Sequence, residues 1–137
     1  MPAFAFSLQR VLDYRRLEED WAREALRYAR EAREEAEGEL EHLQSQRRTL
    51  TAHAAESVAL RLDLEACHGV LDRDVESAQN RLALLVNDEA KATQEWREAR
   101  VAAEALAKLR ESAHAEWVRE EARREQADLD EWAVMRR

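Results

Sequence analysis

Only two glycines, one proline and one cysteine occur in the 137 residues, and aromatic side chains make up 6% of them. Each interior Gly or Pro costs a helix roughly 1 or 3 kcal/mol relative to Ala, so a chain almost free of both is suited to long helices. The single cysteine, Cys67, excludes an internal disulfide and fits a reducing cytoplasm. Long apolar runs are missing too. The longest stretch without charge, Met1 to Gln9, falls far short of the ~18 residues a membrane span needs, and it lacks the basic start and apolar core of a secretory signal.

Charge is what the chain has in abundance: 38% of residues are charged, with a net charge of −8. Arginines are interleaved with glutamates along the whole length, so no coherent basic face exists to displace counterions from nucleic acid or to hold an anionic membrane. Direct membrane insertion is not expected. Length alone suggests one domain.

Hydrophobic periodicity organises the rest. Ser7 precedes Leu8 and is placed to cap a first helix, with Phe6 and Val11 at the spacing of a hydrophobic staple. An apolar row then runs through Leu8, Val11, Leu12, Leu17, Trp21, Ala22, Ala25, Ala29, Ala32 and Ala36. It resumes at Leu40, Leu43 and Leu50, which implies a stutter near Gly38. Residues 49–57 lose both the heptad and the charge density, and Ser57 can cap a second helix from Val58.

The second segment repeats more strictly. Steps of three and four from Val75 pass through Ala78, Leu82, Leu85, Glu89, Ala92, Trp96, Ala99, Ala103, Leu106, Arg110, Ala113 and Trp117 to Ala127. The pattern predicts an all-α fold, an antiparallel two-helix coiled-coil hairpin with a longer second helix. Its expected limits are 7–50 for helix one, 51–57 for the turn and 58–135 for helix two, in one hairpin over 1–137. Much of the seam is Ala, which buries little apolar area and stabilises less than Leu. Trp117 and Trp132 fall where helix one has little left to cover them.

Signs of chemistry are few. Glu39 with His42, Glu65 with His68 and Glu111 with His114 have the Glu-x-x-His spacing of di-iron bundles, but that site needs four helices, and Glu is abundant enough here to give such pairs by chance. Cys67 and His68 point about 100° apart on a helix and do not make a nucleophile and its base. No phosphate loop or catalytic triad is present, so neither catalysis nor a cofactor or metal is expected. Glu89, Arg110 and Arg47 interrupt the seams. Their stems can cover apolar surface with the heads in water, the favoured reading, or they can specify register.

Both ends of the chain resemble one family. Phe4-Ala-Phe6-Ser7-Leu8-Gln9-Arg10-Val11-Leu12-Asp13-Tyr14-Arg15 at the start, and Leu106-Ala-Lys108-Leu109-Arg110-Glu111 followed by Glu125-Gln126-Ala-Asp-Leu129-Asp130-Glu131 near the end, are similar to the flagellar export protein FliJ family. The resemblance spans nearly the full length. It implies a stalk-like hairpin that is cytoplasmic and peripheral to the inner membrane through the export apparatus. Its partners would be the hexameric flagellar export ATPase, the cytoplasmic domain of the export gate, and export chaperones. The family's ATPase-docking role carries onto Leu8, Leu12, Arg119, Arg123, Leu129 and Trp132. Its gate-docking row corresponds to Leu64, Cys67, Leu71 and Val75, although the aromatic residues usual there are absent. The equivalent stalk of a virulence secretion system and a self-associating structural coiled coil are the alternatives.

Overall fold

The computed structural model describes residues 2–52 and 57–137. Two helices account for nearly all of them: α1, Gln9–Thr51, and α2, Val58–Met135, with no strand among the described residues. The turn expected at 51–57 falls mostly on residues outside those described. What is visible at its flanks is the chemistry of two helix ends.

Helix α1 closes with Thr49 and Thr51 donating their hydroxyls to the carbonyls of Ser45 and Arg47, at 3.0 and 2.8 Å. Such back-bonding satisfies carbonyls while offering the backbone an alternative to further helix. Helix α2 opens on Ser57, whose hydroxyl accepts the Leu60 N–H at 3.1 Å and whose carbonyl accepts the Arg61 N–H at 3.0 Å. This is the cap that its position suggests. At the start of α1 the cap sits one residue later than the sequence indicates. The Leu8 carbonyl receives the first helical bond, from Leu12 N–H at 2.9 Å, and Phe6 receives the Gln9 N–H in a preceding turn.

The helices pair antiparallel, and the chain divides into two compact units. In the unit Ala22–Trp96, Arg47 meets Asp72 at 3.4 Å, Glu39 meets Arg81 at 3.5 Å, and Arg33 meets Glu89. One partner's number rises as the other's falls. Leu26, Ala36, Val75, Ala78 and Ala92 are its buried residues, with Leu40, Leu43, Leu71, Leu82 and Leu85 half-buried around them. In the unit Met1–Trp21 with Arg97–Arg137, Gln9 meets Arg110 and Phe4 meets His114, while Leu12 and Ala103 are buried.

The buried positions redraw the seam of α1. It runs Leu12, Arg15, Glu19, Ala22, Leu26, Ala29, Arg33, Ala36, Leu40, Leu43, Arg47, Leu50, in unbroken steps of three and four, and only Arg15 and Arg47 among these are exposed. The stutter is therefore absent, because Leu26 and not Ala25 faces inward. Gly38 lies on the outside, where an added Cβ would meet nothing within 4 Å. Val11, Leu17 and Trp21 also leave the seam: all three are exposed, Trp21 by 58%. The row expected in α2 is observed from Val75 to Trp117, with Arg110 its one exposed member.

Candidate docking surfaces

Two surfaces gather the residues singled out from the sequence, one in each unit. In the unit that carries both termini, the segment before α1 is fastened to α2 by an aromatic cluster. The Phe4 ring meets His114 edge-on at 4.9 Å and lies 6.0 Å from Trp117, and His114 stacks on Trp117 at 6.1 Å. Edge-to-face pairs of this kind add about 0.5–1.5 kcal/mol beyond the area they bury. Arg110 completes the cluster: its guanidinium sits 5.5 Å from the Phe4 centroid and its Nε donates to Gln9 Oε1 at 2.8 Å.

The cluster changes two expectations. Trp117 is half-buried beneath Phe4, not left without cover, and His114 spends its ring on aromatic packing. Beyond Trp117, helix α2 outruns its partner. From Ala122 to the end every residue is exposed, and among the preceding four only Glu121 is partly covered.

That overhang stays helical on local bonds. Arg124 pairs with Glu121 at 3.1 Å and Glu120 at 3.7 Å, Gln126 donates to Asp130 at 2.9 Å, and Arg136 lies over the Trp132 ring at 4.4 Å. Exposed pairs of this kind contribute a few tenths of a kcal/mol each. Arg119, Arg123, Leu129 and Trp132 are all on this free surface, and Leu8 is exposed at the start of α1. Leu12 is different: it is 0% exposed, the best-buried side chain described, and sits in the seam between the helices, not on this free surface.

In the other unit a groove of about 670 Å³ lies between the carboxyl end of α1 and the amino end of α2. Leu50, Ala66, Cys67, Val70 and Leu71 supply its apolar wall, and His42, Ser45, Gln46 and Thr49 a polar margin. Cys67 is exposed and Leu64 and Leu71 are half-buried, so three residues of the expected gate-docking row reach the surface. Val75 does not. At 4% exposure it belongs to the seam and supports the row from behind. Val70, exposed in the groove wall three residues after Cys67, is not in the row that the resemblance implies.

The same unit holds the strongest polar feature of the seam. Arg33 and Glu89 occupy facing seam positions, both about one-fifth exposed, and pair across the helices. Arg33 also binds Glu37 at 2.7 Å, and Arg30 lies 3.7 Å from Glu89. Hydrogen bonds to Glu37 and then Glu89 push the Arg33 guanidinium further up from its ordinary pKa. Among the described residues no group of three or more His, Cys, Asp and Glu side chains is arranged to hold a metal ion. Nor is any helix long and apolar enough to cross a membrane.

Two antiparallel helices with an Ala-rich seam, an exposed helical overhang and no metal cluster among the described residues define the class: a coiled-coil hairpin whose free surfaces are helix faces. The family model described as "Flagellar FliJ protein" matches residues 4–137, and the chain belongs to that family. It is thereby a component of the flagellar export apparatus. Comparison with curated proteins and with solved structures returned no match.

Proposed function

We propose that the chain is a non-enzymatic stalk that docks in the hexameric flagellar export ATPase, promotes assembly and activity of that ring, and contacts the export gate and export chaperones. In this reading it is cytoplasmic and reaches the inner membrane only through the apparatus. The observation that carries the docking step is the overhang of α2, a stretch of helix with Arg119, Arg123, Leu129 and Trp132 exposed and nothing of α1 beside it. An unpartnered helix with a large aromatic residue and arginines has the composition of an interface anchor. Leu8 joins this surface. The groove around Cys67, Val70 and Leu71 is the corresponding candidate for the gate. The family match favours a flagellar over a virulence apparatus.

The test is the ATPase activity and oligomeric state of the cognate ring with and without the protein. Stimulation by the natural chain, with Leu129→Ala/Trp132→Ala weakening binding about tenfold or more, is expected if these residues are anchors. No binding and no change in activity with the natural chain would end the proposal.

A further inference from the structure

Helix α1 begins without the devices that usually hold a helix end. Its cap residue is Leu8, whose carbonyl accepts the Leu12 N–H at 2.9 Å but whose side chain offers no acceptor to the free N–H groups of the first turn. No acidic residue lies in that turn, and Arg10 places a positive charge at the positive end of the helix dipole. Left to its own local bonds, such an end frays.

Contacts with α2 stand in for the missing cap. The Gln9 side chain is fixed at both of its polar atoms: Oε1 accepts from Arg110 Nε at 2.8 Å, and Nε2 donates to Asp13 Oδ1 at 2.9 Å. Ahead of it the chain turns, with the Phe6 carbonyl accepting the Gln9 N–H at 3.1 Å, and Phe4 is seated against His114 and Trp117. Phe4 and Phe6 are half-buried, whereas Pro2, Ala3, Ala5 and Ser7 are exposed. The segment is thus fastened by its rings on one side and by Gln9 on the other. Leu8 lies between the two fastenings and is itself exposed.

We infer that Phe4, Gln9 and Arg110 form a clasp that positions Leu8 for the partner engaged by the terminal end. The inference rests on the stalk reading, in which Leu8 and the α2 overhang dock together. Phe4, Gln9 and Arg110 are positioning residues: they act through Leu8, and holding it in place before the encounter removes an ordering cost from binding. Leu129 and Trp132 need no such help, because they sit well inside the continuous helix α2. The clasp therefore couples to Leu8 and not to Leu129.

The test is the affinity of the full chain for the cognate flagellar export ATPase, measured by biolayer interferometry. Phe4→Ala should weaken binding about three- to tenfold, and Phe4→Tyr, which keeps the ring, should bind as the natural chain does. Leu8→Ala added to Phe4→Ala should cost little more, whereas Leu129→Ala should add its own full loss. In the free protein, hydrogen exchange at the Leu12 amide should quicken at least about tenfold in Phe4→Ala while exchange at Leu26 and helicity by circular dichroism are retained. A cluster that only stabilised the hairpin would quicken both amides and would not couple to Leu8. The clasp alone is overturned if the natural chain binds and Phe4→Ala binds equally well, if the losses from Phe4→Ala and Leu8→Ala add in full, or if exchange at Leu12 is unchanged. Failure of the natural chain to bind the ring would overturn the stalk reading, and this inference with it.

Discussion

Leu12 and Val11 are neighbours in sequence with the same hydrophobic character, yet one is wholly buried and the other is exposed. Burial and not residue type sets the cost of truncation, so the two should part company on mutation. Leu12→Ala and Leu26→Ala are expected to lower stability by about 2–4 kcal/mol, the usual cost of removing a buried leucine. Val11→Ala and Leu17→Ala should fall within about 0.5–1 kcal/mol of the natural chain. Urea denaturation followed by circular dichroism distinguishes the pairs. This contrast also explains which residues were legible in advance. Reading Val11, Leu17 and Trp21 as seam beside Leu12 makes the row too wide, because more than half of a folded surface is apolar and a hydrophobic residue is no guarantee of an inner position. The family resemblance marks the segment around Leu8 and Leu12, and only burial separates the exposed Leu8 from the buried Leu12.

At the scale of the helices, the true period of α1 was hidden by its own charges. Steps of three and four from Leu12 pass through Arg15, Glu19, Arg33 and Arg47, so a search for apolar residues drifts onto Ala25 and Ala32 and then needs a stutter to recover. The strict row of α2 has fewer such interruptions and was visible in full. Arg33 and Glu89 show why a seam tolerates charge. Each supplies the partner that the other's partial burial requires, and sliding one helix by a heptad would set Glu89 against Leu26 or Leu40. A double-mutant cycle of Arg33→Ala and Glu89→Ala should give a measurable favourable coupling, since the pair sits in the seam. A coupling near zero would mean that the stems, and not the heads, explain these residues. Gly38 offers the opposite test. With open space around it in the middle of α1, Gly38→Ala should raise stability by about 0.5–1 kcal/mol, and a loss would show that the site is packed or bent in solution.

Across the whole molecule, the class of fold followed from scarcity of Gly and Pro together with heptad spacing, and the family followed from the two ends. The surfaces did not follow. Coverage by Phe4 half-buries Trp117, Val75 retires into the seam, and Val70 emerges in the groove, all outcomes of packing between segments far apart in sequence. Two of the exposed surfaces gather the residues of interest, the α2 overhang and the groove near Cys67. The proposed stalk role places the ATPase on the first of these. Site-specific crosslinking addresses it most directly, with Cys67, itself exposed, first replaced by Ala and single cysteines then placed at Leu8, Leu129 and, as a comparison, Leu84. A heterobifunctional reagent should join the Leu8→Cys and Leu129→Cys proteins to the cognate export ATPase and leave Leu84→Cys unjoined. Crosslinks from Leu84→Cys alone, or from none of the three, would contradict docking through the terminal end.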